Sequence, residues 1–349
     1  MPTIPERSHD DFGYNQFSLH LSMLSDYTRN RKYAKAIKYA DLRNKRVLDI
    51  GSGTGFLSIL AAKAGAKRVY SCEITNIINE SQPMIQDSLT EEEYDKITVI
   101  NKNINDCTLD DLDGKKVDVI ISEWMGTLLL HERFLEVIIA SRDRFLKSDG
   151  LMIPSDGAIE FCLASSTTTY DDLCDDLSFW EEGGDEEQDF EELYGIQLEK
   201  MYDNAKYNLF RHSIIENIDK EDCVLSDTIS IPIDFKTVSI QDIVNIHSSD
   251  KSFRIKYNDN AYAICGFFTV NFHDMSGEFI CRLQTGPGHD THWNQSLLYL
   301  NEPVSVNRKQ RIPFKLTMDV FDRTSYNVKT TLIIDGENIN HSHITHFVE

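Results

Sequence analysis

Apolar and polar residues follow a mixed pattern over the first 150 positions. Apolar residues recur at three- and four-residue steps over 17–39 and 134–145, which predicts helices in both segments. Short apolar runs at 46–50 and 117–121 predict strands between the helices. Because strands that alternate with helices form parallel sheets, this half predicts an α/β, doubly wound fold. The same patterns predict helices over 56–64 and 76–89, strands over 68–72 and 97–100, and a turn at Asp149-Gly150.

The pattern changes near Pro154. Later segments alternate apolar and polar residues with a period of two, and turn residues separate them. This arrangement is typical of an antiparallel barrel or sandwich, so we expect a second domain of that kind. The predicted strands are 229–233, 253–257, 262–272, 279–284, 296–300, 315–320 and 327–334.

An acidic segment, Asp171 to Glu192, follows soon after this boundary. It contains twelve acidic residues and no lysine or arginine. Such a run is usually a solvated loop. Its apolar residues are compatible with a different interpretation, a helical arm with an apolar tip: Leu177, Phe179, Trp180 and Leu193-Tyr194.

The net charge of −22 indicates which classes of binding partner the chain favours. It argues against direct binding of nucleic acid or anionic membranes, which favour a basic face. It favours basic partners through long-range attraction, although solubility alone would also account for it. No stretch reaches the roughly 20 apolar residues that span a bilayer, and the first residues show no secretion signal.

The seven cysteines form no Cys-x-x-Cys pair and no metal-ligand spacing. Reduced thiols in a cytoplasmic or nuclear protein account for them best, and we expect no metal site.

Two glutamates bracket an apolar, hairpin-like loop from Ser122 to Glu132, directly after a buried-looking strand. Carboxylates are seldom buried unless they are paired or hydrogen-bonded. Two of them facing one pocket suit a guanidinium, which is planar, permanently charged and able to pair bidentately. Glu123 and Glu132 therefore predict an arginine site. The alternative is that they are ordinary strand-end and helix-start residues.

A strand also runs into a glycine turn that contains Gly51, Gly53 and Gly55. These glycines let the backbone approach a ligand at the crevice where parallel sheets bind cofactors. Glu73 ends the next strand, where a carboxylate accepts hydrogen bonds from ribose hydroxyls. The dinucleotide fingerprint needs a glycine where this chain has Phe56, so S-adenosylmethionine fits better than NAD. A purely structural turn is the remaining alternative.

Together, these motifs resemble those of a known protein family. The segment 117–132 resembles the double-glutamate loop of protein arginine N-methyltransferases. Phe17-Ser-Leu-His20, with its downstream residues, resembles the family's cofactor-covering helix, and Thr291-His292-Trp293 resembles its Thr-His-Trp loop. The resemblance spans roughly residues 10–345 and is closest to the enzymes that make asymmetric dimethylarginine.

The resemblance implies an architecture and a set of partners. Cofactor-covering helices would occupy residues 1–40, a Rossmann-like domain that binds S-adenosylmethionine 41–153, and a β-barrel substrate domain 154–349. A dimerisation arm at about 166–212 would join two copies into a homodimer. The substrates would be Arg/Gly-rich or histone-like basic proteins.

The resemblance also implies site residues. The residues implied for catalysis are Glu123, Glu132, His292 and Asp26. Those implied for the cofactor are His20, Met23, Arg29, Asp49, Gly51, Gly53, Glu73 and Asn105. Those implied for the substrate are Tyr14, Met125 and Trp293. Methyl transfer is an in-line displacement, so the glutamates would align one guanidinium nitrogen, and His292 or a glutamate would take the proton.

The chain departs from the family pattern at several positions. Asp10 replaces an aromatic residue, Asn105 replaces a glutamate, and Thr127 and His131 replace tyrosines. An acidic insertion occupies residues 181–192. Three alternatives therefore stay open: a monomethylating enzyme, a partner-dependent or non-catalytic subunit, and a small-molecule methyltransferase. The extended second domain and the Thr-His-Trp loop disfavour the last of these.

Overall fold

The first half of the chain folds around a parallel sheet, in a computed structural model that describes residues 13–185, 188–218 and 223–345. Its strands are β1 (Arg46–Ile50), β2 (Arg68–Glu73), β3 (Ile97–Asn101), β4 (Val117–Ile121) and β5 (Leu146–Ile153). They lie in the order β3-β2-β1-β4-β5, and every pairing is parallel. The order reverses between β1 and β4, which is where such sheets bind ligands.

Helices precede this sheet and connect its strands. They are α1 (Phe17–Ser25), α2 (Tyr27–Tyr39), α3 (Phe56–Lys63), α4 (Ile77–Glu80), α5 (Gln82–Asp87), α6 (Glu91–Tyr94) and α7 (Phe134–Phe145). Short 3₁₀ turns occupy Ile104–Asp106, Asp110–Leu112 and His131–Arg133.

Three local predictions in this half are wrong. The helix expected over 17–39 is broken at Asp26, whose side chain accepts the backbone N–H of Arg29 and so begins a new helix. The helix expected over 76–89 is likewise two helices, with Pro83 in the first turn of α5, where its missing N–H costs nothing. Asp149-Gly150 is not a turn between elements but lies inside β5, where the register against β4 shifts.

The second half forms two antiparallel sheets that give a barrel-like domain. Its larger strands are β6 (Asp156–Ala164), β10 (Ile229–Asp234), β11 (Asn245–Arg254), β12 (Asp259–His273), β13 (Phe279–Gln284), β14 (Gln295–Val306), β15 (Arg311–Val320), β16 (Tyr326–Ile334) and β17 (Glu337–Ile344). One sheet has the order β10-β6-β12-β14 and continues to β9 (Ile214–Glu216), with β13 added on β12. The other has the order β11-β15-β16-β17, and helix α11 (Ile240–Val244) precedes it.

Most of the strands predicted from the sequence are shorter than the strands in the structure. The sequence pattern missed β6, β9 and β17, and it took the end of β11 for a separate strand reaching residue 257. Strand β6 is buried at most positions and so lacks the alternation that marks a half-exposed strand.

The acidic segment lies in a helical arm between β6 and β9. The arm contains α8 (Thr168–Glu182), β7 (Gly184–Asp185), β8 (Gln188–Asp189), α9 (Phe190–Tyr194), a 3₁₀ turn (Leu198–Met201) and α10 (Tyr202–Phe210). Tyr170 and Leu177 of α8 pack with barrel residues such as Tyr299. Leu193 and Tyr194, by contrast, are more than half exposed, at 53% and 62%.

Two sequence expectations concern residues outside the described ranges or membrane-spanning helices. Asp10 lies outside the described residues, as do residues 186–187 of the acidic insertion. In the described ranges, no helix is long and apolar enough to cross a membrane.

Candidate active site

A cavity of about 320 Å³ opens at the carboxyl ends of β1, β2 and β4. Its volume falls in the range typical of ligand sites. Helix α1, the glycine turn, the double-glutamate loop and the Thr-His-Trp loop all contribute to its wall. The cavity therefore brings together motifs that lie up to 270 positions apart in the sequence. Of the predicted site residues, those in its wall are Tyr14, His20, Met23, Arg29, Gly51, Gly53, Glu73, Asn105, Glu123, Met125, Glu132, His292 and Trp293.

The glycine turn and Glu73 form one hydrogen-bonded unit. Glu73 is buried, and its Oε2 accepts the N–H of Gly53 at 2.9 Å while Oε1 accepts the N–H of Thr75 at 2.8 Å. Each carboxylate oxygen keeps a further lone pair for a ligand hydroxyl. Gly51 and Gly53 have φ of 68° and 52°, a region that side chains disfavour. The turn thus holds the carboxylate toward the cavity.

Asp49 lies behind this turn and outside the cavity wall. It is buried, and its Oδ2 accepts the hydroxyl of Ser58 at 2.7 Å. Burial raises the pKa of Asp49 to about 7; the Ser58 hydrogen bond opposes this rise, and the nearby charge of Glu73 adds to it. Asp49 therefore supports the strand that leads into the turn, while the cofactor contact expected of it stays a prediction.

His20 of α1 connects the segment that covers the cavity, Tyr14 and α1, to the glycine turn. Its Nε2 lies 2.9 Å from the backbone oxygen of Tyr14, and its ring packs so closely on Gly53 that a Cβ there would lie 3.1 Å from Cε1. At the other end of the cavity, the backbone of Asn105 is held by Asn103 and Arg144. The cover and the far wall are therefore both fixed by hydrogen bonds.

Each glutamate of the loop has a specific partner in the cavity. Glu123 Oε2 accepts Nη1 of Arg29 at 2.8 Å. The phenol of Tyr14 reaches both carboxylate oxygens of Glu132, at 3.0 and 3.2 Å. Both glutamate side chains are largely buried, so these hydrogen bonds stabilise carboxylates that would otherwise lack the solvation of water.

The Thr-His-Trp loop contacts the cavity from the barrel side. His292 Nδ1 lies 2.8 Å from Oδ2 of Asp26, and its backbone N–H donates to the same oxygen at 3.0 Å. Trp293 donates its Nε1–H to the backbone oxygen of Met125 at 2.7 Å. Trp293 is 5% exposed, so its ring supports the double-glutamate loop as well as lining the cavity.

Several residues of the site carry no motif and were missed. The buried phenol of Tyr33 donates to the backbone oxygen of Ser122 at 3.0 Å and lies 3.6 Å from Met125 Sδ. Burial raises the pKa of Tyr33, and the charge of Glu123 adds to this, so the phenol stays neutral. Phe134 lies against Gly51, where a Cβ would be 3.1 Å from its ring. Both residues lie in segments that the sequence predicts as helical, 17–39 and 134–145, but no motif indicated that they are parts of a site.

The described residues offer no metal centre: no group of three or more His, Cys, Asp or Glu side chains is placed to hold an ion.

Two family models match the chain. Residues 165–332 match the arginine methyltransferase oligomerization subdomain. Residues 32–159 match a model described as ribosomal protein L11 methyltransferase. The match boundary falls near the change from the parallel to the antiparallel sheets.

The fold is that of solved arginine methyltransferases. It resembles a chain of the Trypanosoma brucei PRMT1 enzyme-prozyme heterotetrameric complex with AdoHcy, with a TM-score of 0.81 at 23% identity, over 95% of this chain and 99% of that one. It resembles Arabidopsis thaliana protein arginine methyltransferase 10 equally, with a TM-score of 0.81 at 24% identity, over 95% of this chain and 98% of that one.

Curated sequences give closer matches. Protein arginine N-methyltransferase 1 of Chlamydomonas reinhardtii is 32% identical over 90% of this chain and 86% of its own length. Protein arginine N-methyltransferase 1 of Caenorhabditis elegans is 31% identical over 89% of this chain and 84% of its own length. On this similarity, together with the cavity that carries both glutamates, the chain belongs to the family of S-adenosylmethionine-dependent protein arginine N-methyltransferases.

Proposed function

We propose that this chain methylates arginine side chains of basic proteins, Arg/Gly-rich or histone-like, and forms mono- and asymmetric dimethylarginine. One observation carries the proposal: two largely buried carboxylates of a single loop, Glu123 and Glu132, share a cavity with the glycine turn and Glu73. A carboxylate pair suits a guanidinium, and the glycine turn suits a nucleoside. Relatives named as histone-arginine methyltransferases support the basic substrate class.

The residues of the cavity fit S-adenosylmethionine. Glu73 has lone pairs left for the two ribose hydroxyls, and the glycine backbone leaves room for the sugar. Arg29 offers a cation for the carboxylate of the methionine part, while His20 and Met23 would cover it. Asn105 would accept the adenine amine through its amide oxygen. When bound, the cofactor supplies a methyl group on a positively charged sulfur.

Glu123 and Glu132 would bind and orient the substrate guanidinium. Arginine is a poor nucleophile because its charge is delocalised and its pKa exceeds about 12. The two carboxylates would draw the charge toward the nitrogens they contact and leave the third nitrogen aligned for attack. Tyr14 holds Glu132 and Arg29 holds Glu123, so both carboxylates are oriented by the chain itself.

His292 would receive the proton that the nitrogen loses as its lone pair is committed to carbon. Asp26 fixes the imidazole through Nδ1, which leaves Nε2 as the free ring nitrogen for a proton. Met125 and Trp293 would form the apolar wall beside the guanidinium, where Met125 would limit how a second methyl group fits.

Two copies of the chain would associate through the arm. Helix α8 exposes Asp171, Asp172, Asp175 and Asp176 on its outer side. Helix α2 exposes the opposite charge, with Arg31, Lys35 and Lys38 on one face at helical spacing. Phe17 and Leu21 of α1, and Tyr27 at the start of α2, are exposed by 62%, 66% and 69%. An acidic arm with an apolar tip complements this surface, which supports a homodimer.

The proposed setting is the cytoplasm, the nucleus or both. The seven cysteines form no disulfide in the structure, which is compatible with a compartment where thiols are kept reduced.

The proposal is tested by incubating the purified chain with methyl-labelled S-adenosylmethionine and a Gly/Arg-rich peptide. Amino-acid analysis of the hydrolysed peptide should show label in asymmetric dimethylarginine, and Glu123→Gln should abolish it while cofactor binding persists. If the label appears in monomethylarginine alone, the chain is a monomethylating enzyme, and Thr127 becomes the residue to test as the cause. Cofactor binding without any transfer would overturn the proposal in favour of a partner-dependent subunit.

A further inference from the structure

The double-glutamate loop has a strained backbone. Leu128, Leu129, Glu132 and Arg133 have φ of 52°, 68°, 73° and 58°, in the left-handed region that side chains disfavour. Each such residue is strained and persists only where the surrounding structure holds it. Glu132 is among them, so the direction of its carboxylate depends on contacts that hold this part of the loop.

Arg133, the residue after Glu132, makes three hydrogen bonds with its fork of donors. Nε and Nη2 donate to the two carboxylate oxygens of Glu136 at 2.7 and 2.9 Å. Nη1 donates to the backbone oxygen of Asp322 at 3.0 Å. The pair is buried, with the side chains of Arg133 and Glu136 exposed by 9% and 0%. Arg133 thus links the start of α7 to the barrel-like domain.

Asp322, whose backbone oxygen accepts the third of these bonds, lies in a hydrogen-bonded turn between β15 and β16. Asp322 Oδ1 accepts the N–H groups of Thr324 and Ser325 at 2.8 and 2.7 Å, and Phe321 donates to the oxygen of Ser325. The same turn accepts the backbone N–H of Glu132 through the oxygen of Thr324 at 2.8 Å. Two consecutive loop residues, Glu132 and Arg133, are therefore fixed to one rigid turn.

We infer that Arg133 is a positioning residue for Glu132, and that through it the turn 321–325 sets the direction of the second carboxylate. The inference rests on the proposed function of Glu132. Stability alone does not account for the pair, because buried ion pairs can often be replaced by apolar residues without loss. An apolar residue at position 133 could not donate a hydrogen bond to the backbone oxygen of Asp322, as Nη1 of Arg133 does.

The test uses the full chain and two variants. Arg133→Lys keeps the charge opposite Glu136 but loses the fork, since one ammonium does not span three acceptors in the arginine geometry. The double variant Arg133→Met/Glu136→Leu removes the pair without leaving a buried charge. The matched control is Arg142→Lys, which alters another arginine of α7 that donates to barrel carbonyls, those of Phe235 and Val238, far from Glu132 along the helix.

Three readouts are taken: kcat for methyl transfer, hydrogen exchange of the amides of residues 122–133, and the affinity for S-adenosylhomocysteine. We expect both Arg133 variants to lower kcat by about 10- to 100-fold, the effect of a small displacement of a catalytic group. Exchange in the loop should become faster, while the affinity for S-adenosylhomocysteine changes less than about twofold and Arg142→Lys leaves kcat and loop exchange unchanged.

The inference is overturned if the Arg133 variants keep the exchange rates of the unchanged chain in this loop. It is equally overturned if they exchange faster but retain full kcat. An unchanged chain that transfers no methyl group would instead refute the proposed function, and the exchange rates would still decide whether Arg133 holds the loop.

Discussion

Asp26 and His292 join the cover of the cavity to the barrel through one carboxylate. Its Oδ1 accepts the N–H of Arg29 at 2.8 Å and begins α2, while Oδ2 accepts both the backbone N–H and the Nδ1 of His292, at 3.0 and 2.8 Å. Burial alone would raise the pKa of Asp26, but hydrogen bonds from His292 and Arg29 outweigh it and hold the pKa below its usual range. Asp26 therefore stays ionised and fixes the imidazole.

Asp26→Asn tests this relationship. The amide oxygen can still accept the N–H of Arg29, but the amide nitrogen no longer accepts from His292, so the imidazole loses its orientation. We expect kcat to fall by about 10- to 100-fold with a smaller change in cofactor affinity, as for a disturbed general base. The pH dependence of kcat is the measurement. An unchanged profile would remove His292 from proton transfer.

Glu73→Gln tests the cofactor site. The charged acceptor for the ribose hydroxyls is lost, and the hydrogen bond from Gly53 is weakened. We expect the Kd for S-adenosylhomocysteine, measured by calorimetry, to rise by about 10- to 100-fold, as for hydrogen bonds to a charged group. The matched control is Glu80→Gln, an exposed carboxylate at the end of α4. Equal affinities in both variants would refute the role of Glu73.

The charge on Asp49 makes stability depend on pH. Its pKa rises from 3.8 to about 7 on folding, so between these values the folded chain keeps a proton that the unfolded chain has released. Folding then takes up a proton, and the contribution of Asp49 to the free energy of unfolding decreases as the pH rises through this window.

Asp49→Asn removes that dependence because an amide does not titrate. We expect the stability of the variant relative to the unchanged chain to be greater at about pH 8 than at about pH 5, measured by urea unfolding at both values. If the difference between the two proteins is the same at both pH values, Asp49 is not protonated in the folded chain.

Self-association should depend on charge. Lys35→Glu/Lys38→Glu puts acidic residues on the basic face of α2, and we expect this variant to sediment as a monomer where the unchanged chain sediments as a dimer. Mixing this variant with Asp172→Lys/Asp176→Lys should restore association, because the swapped charges again attract. The control Arg308→Glu/Lys309→Glu makes the same charge change in the exposed turn between β14 and β15. If the mixture stays monomeric, the arm does not dock on α2.

The parallel domain follows its sequence closely because its signals are local. Alternating helices and strands, the glycine turn and the acid at the end of β2 each occupy a short stretch of chain. The departures also have local causes, such as the side chain of Asp26, which accepts the N–H of Arg29 and interrupts a helical pattern.

The barrel and part of the site depended on contacts that no local pattern records. Strand β6 is buried along most of its length and so shows no alternation. The turn that holds Glu132 lies about 190 positions away from it in the sequence and has no motif. The left-handed conformation of Glu132 and the buried pair of Arg133 and Glu136 likewise become visible only in the folded chain.

If Glu123 and Glu132 hold an arginine side chain for methylation, transfer should require both the guanidinium and the two carboxylates. The most direct measurement is mass spectrometry of two peptides after incubation with S-adenosylmethionine, one Gly/Arg-rich and one with lysine at every arginine position. We expect methyl groups on arginine alone, and none on either peptide with Glu132→Gln. Methylation of the lysine peptide, or full activity in Glu132→Gln, would contradict this expectation.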